Sequence, residues 1–182
     1  MYRFYRFVIS VIAAVLLGGC STQRGSEGRQ TVLALPYWQF DQTPAGWRSY
    51  ADRKEFRQAG VLIEAYFPGH PELLTNERAM LHFHAAQLFG FSGDTSAALR
   101  HLGRAEVPDG SPGFPSRWND YVAATKAFLR HDHAELLAAR ERMASGLSTD
   151  QDRTYLGVVD LLISRWGESY GSAYLSQMDK RK

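Results

Sequence analysis

Beyond Thr43-Pro44, apolar residues return every three or four positions, the spacing of one face of an α-helix. Ala98, Leu102 and Ala105 form one stripe at i, i+4 and i+7, and Ala85, Ala86 and Phe89 form a small-small-aromatic face just before it. A second stretch reads Trp118, Tyr121, Ala124 and Phe128, then Leu136, Leu137 and Met143. Upstream, Trp47 and Tyr50 precede Ala59, Ile63 and Tyr66; downstream, Leu156 to Ile163 precedes a short last helix through Tyr174. Alternating polar–apolar runs of the hairpin kind do not occur. The helical stripes break at Lys54, Gly93, His131 and Gly167, spaced 39, 38 and 36 residues apart. Gly93-Asp94 is the clearest break, because glycine ends one helix and aspartate caps the next. The pattern predicts an all-α body over residues 46–182, built from antiparallel helix pairs. Those pairs either stack as a short solenoid, each burying its stripe on the next, or close into a compact helical bundle.

The segment Ala79 to Glu106 resembles a tetratricopeptide repeat, with small residues at the helix crossing, Gly-Asp at the turn and an Ala/large/Ala stripe after it. It departs from that pattern at His82, where the first-helix Trp is usual, and at Ala85, where Leu is usual. Gly110 also stands in place of the closing Pro, with Pro108 nearby. The resemblance implies a concave face lined by the first helix of each pair. Met80, Phe83 and Gln87 would point there from one pair, and Trp118, Tyr121 and Thr125 from the next, as a candidate partner-binding groove. Aromatic and Met side chains are enriched at interfaces, and Trp and Tyr in hot spots. The alternative is that Trp118 and Tyr121 are core.

The N-terminus follows another logic. Arg3 and Arg6 precede an uncharged stretch from Phe7 to Leu17, the layout of a secretory signal. That stretch is about half the ~20 residues a spanning helix requires. It ends in Leu17-Gly18-Gly19-Cys20, which resembles the lipobox of bacterial lipoproteins. The resemblance implies removal of residues 1–19 and acylation of Cys20, which would hold the chain on a lipid bilayer. Ser21 after the cysteine implies export to the outer membrane, facing the periplasm. Residues 20–30, polar with Gly and Ser, read as a flexible tether. Residues 31–45 read as an extended aromatic segment. Its Tyr37, Trp38 and Phe40 either pack on the body or form an interfacial aromatic belt.

Composition narrows function mainly by exclusion. The 182 residues carry 21 Lys+Arg and 19 Asp+Glu, and loss of Arg3 and Arg6 with the signal leaves the mature chain formally neutral. That balance gives no reason to expect nucleic-acid binding. A single cysteine excludes an intrachain disulfide and any multi-Cys zinc site. Among the six histidines, His82 and His84 lie two apart on a helix and do not face each other. His131 and His133, with His70 or His101, lack a ligand motif and read as a solvated turn. No metal or cofactor is expected. No nucleophile elbow or phosphate loop occurs. Glu168-Ser169 resembles the Glu-Ser pair of lytic transglycosylases, yet only 14 residues follow Glu168, too few for a lysozyme-like lobe. No catalytic residues are therefore assigned. The expected function is a membrane-anchored, non-catalytic protein-binding adaptor or scaffold with an envelope protein partner. The alternatives are a peptidoglycan-acting envelope enzyme and a structural subunit of an outer-membrane assembly machine.

Overall fold

Three of the four breaks in the hydrophobic pattern are built alike. The backbone enters the left-handed region at Lys54 (φ 62°), Gly93 (82°) and His131 (55°). The next N–H then reaches back five residues: Glu55 to Tyr50 O, Asp94 to Phe89 O and Asp132 to Ala127 O, each at 2.9 Å. The left-handed residue itself bonds three back, to Ala51, Gly90 and Phe128. This paired pattern satisfies the carbonyls left open at a helix C-terminus. Asp94 and Asp132 at once cap the following helices, accepting from the N–H groups of Ala97 and Glu135. Gly167 is also left-handed (φ 96°), but its turn is tighter, with Glu168 N–H on Arg165 O at 3.1 Å.

The computed structural model describes residues 28–179, with side chains through 176. Residues 1–27, which include the expected signal peptide, Cys20 and most of the expected tether, lie outside the described residues. Within them the chain is helical and contains no strand: α1 (28–33), α2 (Tyr37–Gln42), α3 (Arg48–Asp52), α4 (Phe56–Tyr66), a 3₁₀ turn (Phe67–Gly69), α5 (Thr75–Phe91), α6 (Thr95–Leu102), α7 (Trp118–Leu129), α8 (His133–Ala144), α9 (Asp150–Ser164) and α10 (Tyr170–Asp179). The four turns join α3 to α4, α5 to α6, α7 to α8 and α9 to α10.

Helix α5 packs between α4 and α6, and α7 packs against α8 and α9. Buried residues surround α5 on every side, from Ala79, Leu81 and His82 to Phe89 and Gly90, so it lacks the one-sided stripe of a surface helix. Helix α10 then turns back onto α5. In an open stack of pairs the last helix would touch only its neighbours. The return of α10 makes the arrangement a compact helical one.

The segment 31–45, expected to be extended, is instead helical up to residue 33 and again over Tyr37–Gln42. An extended segment without a partner strand leaves its backbone N–H and C=O groups unpaired. Here they pair locally instead: Ala34 N–H bonds Gln30 O at 3.1 Å, and Phe40 N–H bonds Pro36 O at 3.0 Å. Pro36 (φ −58°, ψ 151°) separates α1 from α2 and stands where a missing N–H costs nothing. Residues 28–30, read above as tether, belong to α1. Phe40 is fully buried, so packing of the body begins upstream of residue 46.

Candidate functional site

The six groove positions lie on α5 and α7 as expected, but four of them face inward. Phe83, Trp118, Tyr121 and Thr125 are 1–3% exposed, while Met80 and Gln87 are half-buried. Helices α9 and α10 supply what covers them. Tyr155 stacks on Tyr121 with ring centroids 4.3 Å apart, and Gln87 Nε2 donates to Tyr174 Oη at 3.1 Å. Trp118 Nε1 donates to Ala105 O at 2.8 Å, and its ring meets Phe83 and Phe114. Trp118 and Tyr121 are core residues.

Chemistry-bearing side chains gather elsewhere, around a clasp between the N-terminal helices and the α4–α5 pair. Asp41, the penultimate residue of α2, is 0% exposed. Its Oδ1 accepts from Trp47 Nε1 at 3.0 Å and from His84 Nδ1 at 2.8 Å, and its Oδ2 from Gln42 and from Tyr37 Oη. Arg48 donates to the Asp41 backbone carbonyl. Burial alone pushes the carboxyl up; the charge and hydrogen bond of His84, the Arg48 guanidinium and the Trp47 indole outweigh it and hold Asp41 at about 2. The turn from α2 to α3 closes so tightly that a Cβ on Gly46 would sit 1.8 Å from the Phe40 carbonyl oxygen.

A second set of bonds pins the chain ahead of α2. Tyr66 Oη donates to Leu35 O at 2.7 Å, and His70 Nε2 donates to Leu33 O at 2.8 Å. Phe40, Tyr66 and His70 stack in succession, with centroids 3.7 and 3.8 Å apart.

His82 points away from this clasp. Its Nδ1 lies 3.0 Å from His101 Nδ1 on α6, and His101 Nε2 lies 3.0 Å from Glu64 Oε1 on α4. When His101 Nε2 donates to Glu64 Oε1, a neutral His101 accepts through Nδ1, and His82 then carries its proton on Nδ1. Burial, with His101, Arg104 and Arg78 nearby, lowers His82 to about 4; burial also lowers His101, against the opposing pull of Glu64. Phe67 stacks on His82 at 4.3 Å. This is a neutral imidazole pair at ordinary pH, running imidazole to imidazole to carboxylate with no hydroxyl in the series.

Asp152, also fully buried, joins the approach to α7 to the approach to α9. It accepts from the N–H and hydroxyl groups of Ser148 and Thr149, from Ser116 Oγ and from Arg117 N–H. Its role is that of a capping hub. Among the described residues no group of three or more His, Cys, Asp or Glu could hold a metal ion. His131 and His133 both lie against Trp166. Glu168 pairs with Arg165 at 3.0 Å, on the rim of an open cleft of about 200 Å³ where the turns at Gly93, His131 and Gly167 meet. Phe128 and Tyr170 line that cleft.

Sequence reasoning missed the clasp and the imidazole pair because their members are far apart in the chain: Asp41 and His84 are 43 residues apart, and His82 and His101 are 19 apart. The one available signal was the pair of histidines two apart on α5, which on a buried helix must seek different partners. No helix among the described residues is long and apolar enough to cross a membrane. Comparison with known protein families, curated proteins and solved structures gave no match.

Proposed function

We propose that the chain is a lipid-anchored envelope protein whose helical body serves as a non-catalytic adaptor or scaffold facing the periplasm. The observation that carries this reading is Leu17-Gly18-Gly19-Cys20, in register behind a short basic region and an apolar stretch too short to span a bilayer. Ser21 supports the outer membrane as destination. The interior chemistry supports an adaptor: Asp41 and Asp152 are ionised carboxylates surrounded by donors, suited to holding segments together and unsuited to moving protons near neutral pH. With the first-helix aromatics in the core, a protein partner meets the outer surface, where Leu74 and Leu137 are exposed. The test is affinity purification of the full chain from gently solubilised membranes. A stoichiometric envelope partner, lost when Cys20→Ala releases the chain from the membrane, is the expected result. Recovery of the chain alone, together with turnover of peptidoglycan by the purified protein, would replace the adaptor with an enzyme.

A further inference from the structure

The strip from Gln30 to Phe40 (QTVLALPYWQF) carries no charge, although Arg29 and Asp41 bound it on either side. Its inner side is committed to the body, through Leu33 O on His70, Leu35 O on Tyr66, and the Phe40 ring on Tyr66. Its outer side meets solvent with an apolar run between uncharged polar ends: Ala34 and Pro36 are exposed, Leu35 and Tyr37 are half-buried and Trp38 is 57% exposed, with exposed Gln30 and Thr31 before the run and Gln39 after it. Trp47 and Trp118 are buried and Trp166 is half-buried, so Trp38 is the most exposed of the four tryptophans. A single exposed apolar residue calls for no explanation. A run of apolar surface ending in a tryptophan, rigidly backed by two hydrogen-bonded carbonyls and a ring stack, does.

We infer that this outer face, centred on Trp38, inserts at the headgroup level of the bilayer that holds Cys20 and so sets the orientation of the body on the membrane. The inference rests on the lipid anchor proposed above. Eight peptide steps separate Cys20 from Gly28 and span at most roughly 28 Å, so α1 begins close to the bilayer surface whatever path the chain takes. Tryptophan suits the boundary because its ring is apolar and its indole N–H still finds a polar partner there. The absence of charge from Gln30 to Phe40 removes the desolvation cost that a Lys, Arg, Asp or Glu would bring to that depth. The clasp gives the contact its consequence. Because α1 and α2 are tied to α4 and α5 by Tyr66, His70 and Asp41, a fixed depth for Trp38 orients the whole helical body, leaving its other faces toward the periplasm.

The experiment uses the full mature protein, purified from membranes and reconstituted into phospholipid vesicles, its acyl content first established by intact mass. Tryptophan emission is then compared in vesicles whose lipids carry bromine near the glycerol end or near the methyl end of the acyl chains. Trp38→Phe, at an exposed position, serves as the subtraction, with circular dichroism as the check on folding. The expected result is stronger quenching by the shallow bromines, at least half of it lost in Trp38→Phe. Equal quenching of the two proteins, with Cys20 acylated, would overturn this inference and leave the anchor standing. So would a Trp38 shielded from aqueous iodide yet untouched by either brominated lipid, which would put a second copy or another protein on the strip. A Cys20 without acyl chains would overturn the anchor and this inference together.

Discussion

Replacing Asp41 by alanine should cost the body more than the loss of one surface charge would. The carboxylate is fully buried and receives Trp47 Nε1 at 3.0 Å and His84 Nδ1 at 2.8 Å. Its removal strands both donors, and breaking one side of a buried pair of this kind costs about 3–5 kcal/mol. In a domain of this size that corresponds to a fall in Tm of roughly 10 °C. Asp41→Asn keeps an acceptor at the same place and should cost about 1–2 kcal/mol. The two variants differ from the parent in a second way. The folded-state carboxyl sits at about 2, below its ordinary 3.8, so the unfolded chain binds the proton first. The resulting stability is present above pH 4 and is lost as pH falls through 2. It amounts to about 2 kcal/mol at pH 5, about half of it gone at pH 3. Urea unfolding of residues 20–182 carrying Cys20→Ser, followed by circular dichroism at both pH values, reads both effects. A loss under about 1 kcal/mol for Asp41→Ala would refute the clasp, as would an Asp41→Asn variant with the parent's slope between pH 5 and pH 3.

The imidazole pair acts in a different pH window. His82 is lowered to about 4 from 6.5, so its contribution is complete above about pH 6.5 and declines as pH falls toward 4. By pH 5 the loss should be on the order of 2 kcal/mol, and His82→Gln should flatten it in the same urea experiment. Trp118→Ala removes a core indole held to Ala105 O and should cost about 3–5 kcal/mol, seen as an early thermal loss of helical signal. A folded, fully stable variant would return Trp118 to the surface. Lys54→Gly relieves a left-handed non-glycine residue at an exposed turn and should add about 0.5–1 kcal/mol to the unfolding free energy.

The turns were the most legible part of the fold. Lys54, Gly93, His131 and Gly167 were placed from interruptions in the apolar stripes, and each is a left-handed residue closing a helix. Local chemistry fixes such turns, so local sequence reports them. The N-terminal strip escapes that logic because Val32, Tyr37 and Trp38 favour extended backbone when taken alone, while no strand among the described residues pairs with them. Its helices are short and owe their stability to Tyr66, His70 and Asp41, contacts between distant parts of the chain. The groove residues show the reverse. The aromatic stripe on α5 and α7 was seen, but an apolar stripe is the same whether it faces a partner or this chain's own α9 and α10. Only the return of α10 onto α5, closed by Gln87 and Tyr174, decides between them.

The central claim is that Cys20 is the acylated N-terminus of the mature protein. Intact mass spectrometry of the chain extracted from membranes tests it most directly. The expected product is a polypeptide beginning at Cys20 and carrying a diacylglyceryl thioether, with loss of both cleavage and lipid in Cys20→Ala. A mature chain with an unmodified Cys20 thiol, or one that retains Arg3 and Arg6, would contradict it.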